Sequence, residues 1–292
     1  MKKRVFVLLF MLGLCYLIFK IEPFFQDQVK IQSLKQIVNE SAGLQKASAG
    51  NDTIVIAKDQ IHRGDLLLVN KQFAVREESV RADIVNIFDR QDLMKGYGVL
   101  DSNILLSEEV AQRFMDMVAA AAKDGIDGFL ISSGYRDFEK QSSLYEEMGA
   151  DYALPAGNSE HNLGLSLDVG STQSKMSEAP EGRWIEKNAW KYGFILRYPK
   201  DKIDITGIEY EPWHIRYVGL PHSAIMHERN DALEEYLSFL RQEKKITAKV
   251  KGKKYTVSFY PESDIRMIEL PANKAYEISG DNMGGIIVTV RE

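Results

Sequence analysis

Apolar and polar positions along this chain fall into segments with recognisable periods. Val110, Phe114, Met117 and Val118 recur at helical spacing across Glu108–Lys123, with Ser107 placed as the N-cap and Gly125 as the stop. Gly128-Phe129-Leu130-Ile131-Ser132-Ser133 follows as a buried strand, and Gly134-Tyr135-Arg136 as a turn. Asp137 caps a second helix, which runs to Met148 and is stopped by Gly149. Further on, Trp184–Tyr192 reads as a helix ending at Gly193, and Asp231–Lys244 as a final helix. Phe194–Tyr198 and Trp213–Val218 read as strands between them. Upstream, Thr53–Ile56 and Leu66–Asn70 are two β-like runs separated by the turn Arg63-Gly64-Asp65. Strands and helices mixed without regular alternation predict an α+β domain.

The two ends differ from this body. Ile246–Val250 and Tyr255–Tyr260 flank Lys251-Gly252-Lys253-Lys254, a hairpin signal, and Ala275–Ser279 with Gly285–Val290 make a second pair. Residues 245–292 therefore read as a small C-terminal β module, either a stabilising cap or a wall- or partner-binding unit. At the other end, Met1-Lys2-Lys3-Arg4 precedes the uncharged run Val5–Phe19. No small-x-small cleavage site follows, so residues 1–25 read as an uncleaved membrane anchor, with a cleaved export signal as the alternative. The leading basic residues then place the body outside the cytoplasm, at the cell membrane. Residues 26–65 are mostly polar and read as a tether, and 66–244 as the main domain.

Composition narrows the chemistry. The chain is 45% hydrophobic and 27% charged, enough apolar material for an ordinary core. Its net charge of −5 argues against nucleic acid as a partner. Cys15 is the single cysteine, so a metal would have to be held by nitrogen and oxygen.

Such donors occur in two segments, Ser159–Asp168 and Glu211–His214. Between them they offer His161 and His214, the carboxylate of Asp168 and a further carboxylate, Glu211. Three ligands, an open position and a nearby base are what a hydrolytic zinc site requires. Leu165 and Leu167 alternate with Ser166 and Asp168, which puts the leucines in a core and the polar pair toward a cleft, with Ser166 as a support for Asp168. Glu211 stands beside His214 as a base for the bound water. His62, His222 and His227 fit no ligand spacing and read as surface residues, and the charged run from Glu234 to Lys245 as a solvated helix face.

These motifs resemble a known family. Ser159–Asp168 matches the Ser-x-His-x-x-Gly-x-(Ala/Ser)-x-Asp pattern of zinc D-alanyl-D-alanine carboxypeptidases, and Glu211–His214 matches their Glu-x-x-His. Ser132–Gln141 resembles their upstream signature, and Tyr152–Gly157 with Asn188–Pro199 look like the VanY type, associated with glycopeptide resistance. The resemblance implies a small antiparallel sheet with packed helices, a fold shared with VanX and hedgehog-type domains. It implies that His161, Asp168 and His214 bind one Zn²⁺ and that Glu211 is the catalytic base. Arg136 would stabilise the developing oxyanion, and Gln141 and Ser159, with Arg136, would bind substrate. Tyr135 and Trp213 would line the cleft. The implied substrate is a peptidoglycan stem pentapeptide ending in D-Ala-D-Ala. A dipeptidase acting on free D-Ala-D-Ala and a non-catalytic, zinc-stabilised peptidoglycan-binding module are the alternatives. An anchored enzyme outside the membrane meets stem peptides rather than free dipeptide.

Overall fold

The computed structural model describes residues 29–33, 51–149, 154–264 and 267–292. The helix Glu108–Lys123 forms where its spacing predicts, and the Ser107 hydroxyl accepts a hydrogen bond from the Val110 N–H. Phe114, on its buried stripe, meets the rings of Tyr97, Phe129 and Phe194 edge-on, with centroids 5.0, 6.4 and 6.4 Å away. Those three rings belong to the sheet that the helix covers. Across the sheet, the strands are β4 (Tyr97–Val99), β6 (Phe129–Ser133), β7 (Ser166–Ser171), β9 (His214–Tyr217) and β8 (Phe194–Leu196). Neighbours are antiparallel except β4 and β6, which are parallel. The expected antiparallel sheet is thus mixed at one edge. The long helix lies between β4 and β6 in the chain and makes the crossover that parallel pairing needs. β3 (Ile84–Asn86) and β5 (Leu105–Ser107) form a separate antiparallel ribbon.

A second, wholly antiparallel sheet has the order β1 (Lys30–Ser33), β10 (Lys245–Val250), β11 (Lys253–Pro261), β14 (Gly285–Arg291), β13 (Tyr276–Gly280). The turn between β10 and β11 is two residues, Lys251-Gly252, at φ 48° and 76°, tighter than the four-residue signal suggested. β2 (Asn51–Val55) pairs antiparallel with β12 (Met267–Pro271). The C-terminal residues are not an appendage. Their sheet closes a second core over the helices His222–Arg229 and Leu233–Glu243, with Trp190, Ile195 and Val218 inside it.

Other expectations are corrected. The stretch read as tether contains β2, at the β-like run expected from Thr53 on, and also β1, a strand of weak side-chain pattern held by backbone pairing to β10. Leu66–Val69 is buried but pairs with no strand. Leu67 and Val69 enter the first core, Leu66 and Leu68 the second. Backbone groups of the segment bond to the Ser279 hydroxyl, the Asp281 carbonyl, the Arg216 guanidinium and the Asn282 amide. Alternation between two cores imitates a strand pattern whatever satisfies the backbone. The expected anchor, residues 1–25, lies outside the described residues. Among those described, no helix is long and apolar enough to cross a membrane.

His222 is the largest departure among the histidines read as surface residues. It is 3% exposed, with Nδ1 2.7 Å from the Tyr236 hydroxyl and Nε2 3.0 Å from the Thr289 hydroxyl. It thereby ties two helices to β14. His227 is exposed and stacks on Trp190 at 4.6 Å, and His62 bonds to Asn282. Burial pushes the His222 imidazole down to about 3. The unfolded chain therefore binds the proton first, and stability present above about pH 6.5 erodes as pH falls toward 3. His222→Gln should flatten that limb of a stability–pH curve, measured by urea denaturation between pH 7 and about pH 4. Parallel curves for the two proteins would reject this role.

Candidate active site

Cross-strand register builds the site. Asp168 on β7 pairs directly with His214 on β9. Leu167 and Val169 face the first core, as do Ile215 and Tyr217. Asp168, His214 and Arg216 therefore point to the other face, as the Leu–Ser–Leu–Asp alternation predicted for β7. The β6–β7 register shifts between Ile131 and Ser133, next to Asp168, and the Ser132 hydroxyl donates to the Asp168 carbonyl.

His161 arrives on a separate element, the single 3₁₀ turn Glu160–Asn162, with Ser159 as its N-cap. The Ser159 oxygen accepts from the His161 N–H at 3.4 Å. The ring is fixed from behind, with Nδ1 2.6 Å from the Gly134 carbonyl, which leaves Nε2 facing Asp168 at 3.3 Å. Position 134 must be glycine, because a Cβ there would lie 2.1 Å from the Leu105 carbonyl oxygen. Gly164, at φ 82°, lets the chain turn from His161 into β7.

One nitrogen of each histidine and one oxygen of Asp168 lie within 4.8 Å of one another, close enough to share an ion. His214 presents Nδ1, 3.0 Å from Asp168 Oδ1. The two imidazoles meet edge-on with centroids 4.9 Å apart. Glu211 Oε2 stands 3.9 Å from His214 Nδ1, at the start of a turn closed by the His214 N–H donating to the Glu211 carbonyl. Burial pushes the Glu211 carboxyl up, and neighbouring Asp168 adds to that. Burial opposes the charge on Asp168 as well, but His161 and His214 hold its carboxyl well below the usual range. Burial keeps His161 low, whereas in His214 it is outweighed by Asp168 and Glu160, which raise the ring to about 9.

Arg136 is half-buried, in the field of Asp168 and Glu211, and its Nε has no hydrogen-bond partner among the described residues. Trp213 is 41% exposed beside His214, at the rim. Gln141 is placed differently from the expectation of a displayed donor. It is 1% exposed, its amide nitrogen donates to the Leu154 carbonyl at 2.6 Å, and its oxygen has no partner among the described residues. Ser166 donates to Glu160 at 3.2 Å, not to Asp168.

Glu160 is the residue that sequence reading passed over. It is 1% exposed, and its Oε2 lies 3.6 Å from His214 Nε2. Its Oε1 lies 2.8 Å from both Arg197 and Arg216, themselves almost wholly buried. Burial alone would raise its carboxyl, yet the two guanidinium groups hold it well below the usual range. Arg197 also bonds twice to Glu234, which is thus not on a solvated face. The available signal was an arginine inside each of two apolar strand sequences, Leu196-Arg197-Tyr198 and Ile215-Arg216-Tyr217.

The family described as VanY: D-alanyl-D-alanine carboxypeptidase matches residues 103–220. The D-alanyl-D-alanine carboxypeptidase of Enterococcus faecium is 54% identical over 291 residues, 99% of this chain and 96% of that protein. This chain belongs to the VanY family of D-alanyl-D-alanine carboxypeptidases. Among solved structures, the vancomycin-resistance D,D-dipeptidase VanXYg, in complex with a D-Ala-D-Ala phosphinate analogue, has a TM-score of 0.72 and 31% identity. That match covers 83% of this chain and 99% of VanXYg. VanYB in complex with D-alanine-D-alanine has a TM-score of 0.50 and 30% identity, covering 60% of this chain and 97% of VanYB.

In this VanY-family site, a carboxylate behind His214 Nε2 leaves the Nδ1 lone pair for an ion. Glu160→Gln is accordingly expected to lower metal affinity by about 10- to 100-fold, read by competition with a chromogenic chelator. Unchanged affinity in a folded variant would remove Glu160 from that role.

Proposed function

We propose that His161, Asp168 and His214 hold one Zn²⁺, and that the enzyme removes the terminal D-alanine from peptidoglycan stem pentapeptides ending in D-Ala-D-Ala. The observation that carries the reading is the convergence of two nitrogens and one carboxylate within 4.8 Å, with Glu211 close by at 3.9 Å from His214. A donor set of two imidazoles, one carboxylate and no thiolate suits zinc with a position left open. Bound there, zinc would lower the pKa of water from about 15.7 to about 7.

The chain's own residues supply the rest. Glu211, raised by burial, takes the proton of the attacking water and delivers it to the departing D-alanine amine. Arg136 lends positive charge where the scissile carbonyl oxygen becomes negative. Ser159 keeps its hydroxyl hydrogen for the terminal carboxylate, since its oxygen is the part engaged by His161. Gln141 serves the same end if its amide is released from Leu154. Removal of the last residue alters the peptide end that glycopeptides bind, which supports a role in vancomycin resistance. The basic Met1–Arg4 followed by the apolar Val5–Phe19 supports attachment to the cell membrane with the enzyme outside.

The purified, zinc-loaded protein should release D-alanine from a soluble stem pentapeptide far faster than from free D-Ala-D-Ala. Glu211→Ala should lower kcat by about 10²- to 10⁴-fold while zinc content stays at the wild-type level. Wild-type turnover in that variant, or faster cleavage of the dipeptide, would overturn the assignment.

A further inference from the structure

A second cleft of about 440 Å³ lies where the C-terminal sheet meets the catalytic body. Its walls come from the helix Glu108–Lys123, the turn at Lys191-Tyr192, the end of β9 and the residues after it, the turn between β10 and β11, and β11, β13 and β14. It contains none of the residues assigned to the metal or to substrate. Tyr217 reaches it from the face of β9 opposite His214, so the sheet itself separates cleft and metal centre.

Two properties of the lining point to a ligand. Arg113, Lys191, Lys251, Lys253 and Arg291 face it against only Asp116 and Glu277. That is a local positive excess in a chain whose net charge is −5. Between the cations stand Tyr192, Tyr217, Tyr255 and Tyr276, of which Tyr276 is exposed and Tyr217 and Tyr255 are buried, whereas Leu220 and Ala275 are the only aliphatic side chains among the described residues that line it. The Lys251 ammonium lies 5.1 Å from the Tyr192 ring centroid and donates to the Lys191 carbonyl, so charge and aromatic face alternate at short range. Phenol rings offer flat C–H-stacking faces together with a hydroxyl donor. Aliphatic pockets, which an acidic peptide would need for its side chains, are nearly absent.

We infer that this cleft is a binding site for anionic carbohydrate, with a sugar ring laid on the exposed face of Tyr276 and phosphate or carboxylate groups held by the lysines and arginines. Both anions are met by the same cations, and the sugar ring is the common element. The site is independent of the metal chemistry, and it gives the C-terminal sheet a task besides closing the second core. A polymer held there would keep the enzyme near any peptide that the same polymer carries.

Affinity electrophoresis of the zinc-loaded full chain tests this, with phosphomannan, polygalacturonate, neutral dextran or polyglutamate cast in the gel. Retardation by phosphomannan or polygalacturonate, weakened by added salt and absent with dextran, is the expected result, and the better of the two names the anion. Lys253→Glu combined with Arg291→Glu should weaken apparent affinity about tenfold. Tyr276→Ala, at a ring 46% exposed, should weaken it about threefold. Both variants should melt at the wild-type temperature, which separates lost binding from lost folding. The inference fails if neither polysaccharide retards the protein, or if polyglutamate binds as tightly as they do. It fails equally if the folded variants migrate as wild type.

Discussion

Asp168 and His214 face each other across one pair of strands, and the rest of the site is arranged around that register. A slip of one residue by either strand would turn its own polar side chain into the apolar core and bring an apolar neighbour, a leucine from β7 or an isoleucine from β9, into the cleft. The register is secured from the other side of the sheet. Leu167, Val169, Ile215 and Tyr217 are locked against Phe114 and its neighbours, where close packing tolerates no such exchange. Core packing and the geometry of the candidate site are therefore two faces of the same strands.

Behind the two imidazoles lies a second constraint, the buried group of Glu160, Arg197, Arg216 and Glu234. Removing such charges from water costs several kcal/mol per ion, so the group is a poor source of net stability. What it contributes is position. Arg216 bonds to the carbonyls of Asp65 and Leu67, holding the segment that passes between the two cores. Glu160, fixed by both arginines, sets the far side of the His214 ring. One network thus links the ring orientation to the joining of the two halves.

That joining explains why the C-terminal strands cannot be treated as a separate unit. Leu66 and Leu68 enter one core and Leu67 and Val69 the other, so a single four-residue segment staples both. His222 adds a polar tie from the helix His222–Arg229 to β14. The seam left between the halves is where cations and tyrosines gather, away from the catalytic face.

Much was legible in the residues alone. The helix Glu108–Lys123, its Ser107 cap, the helix from Phe138 to Met148 and the terminal hairpins follow from local period and capping, which act within a few residues. The segments carrying His161, Asp168, Glu211 and His214 were recognisable because ligand types at fixed spacing are written into contiguous chain. Tertiary structure decided what depends on distant partners. Whether Leu66–Val69 joins a sheet depends on Ser279, Asp281, Asn282 and Arg216, none of them nearby in sequence. The polar Lys30–Ser33 becomes a strand only because β10 offers it a free edge. His222 looks like a surface residue until Tyr236 and Thr289 supply its hydrogen bonds. Glu160, one position before His161, looks like a variable spacer until the two arginines close around it. Periodicity reports which side of an element is apolar, but the partner of a buried charge is fixed only when the chain has folded.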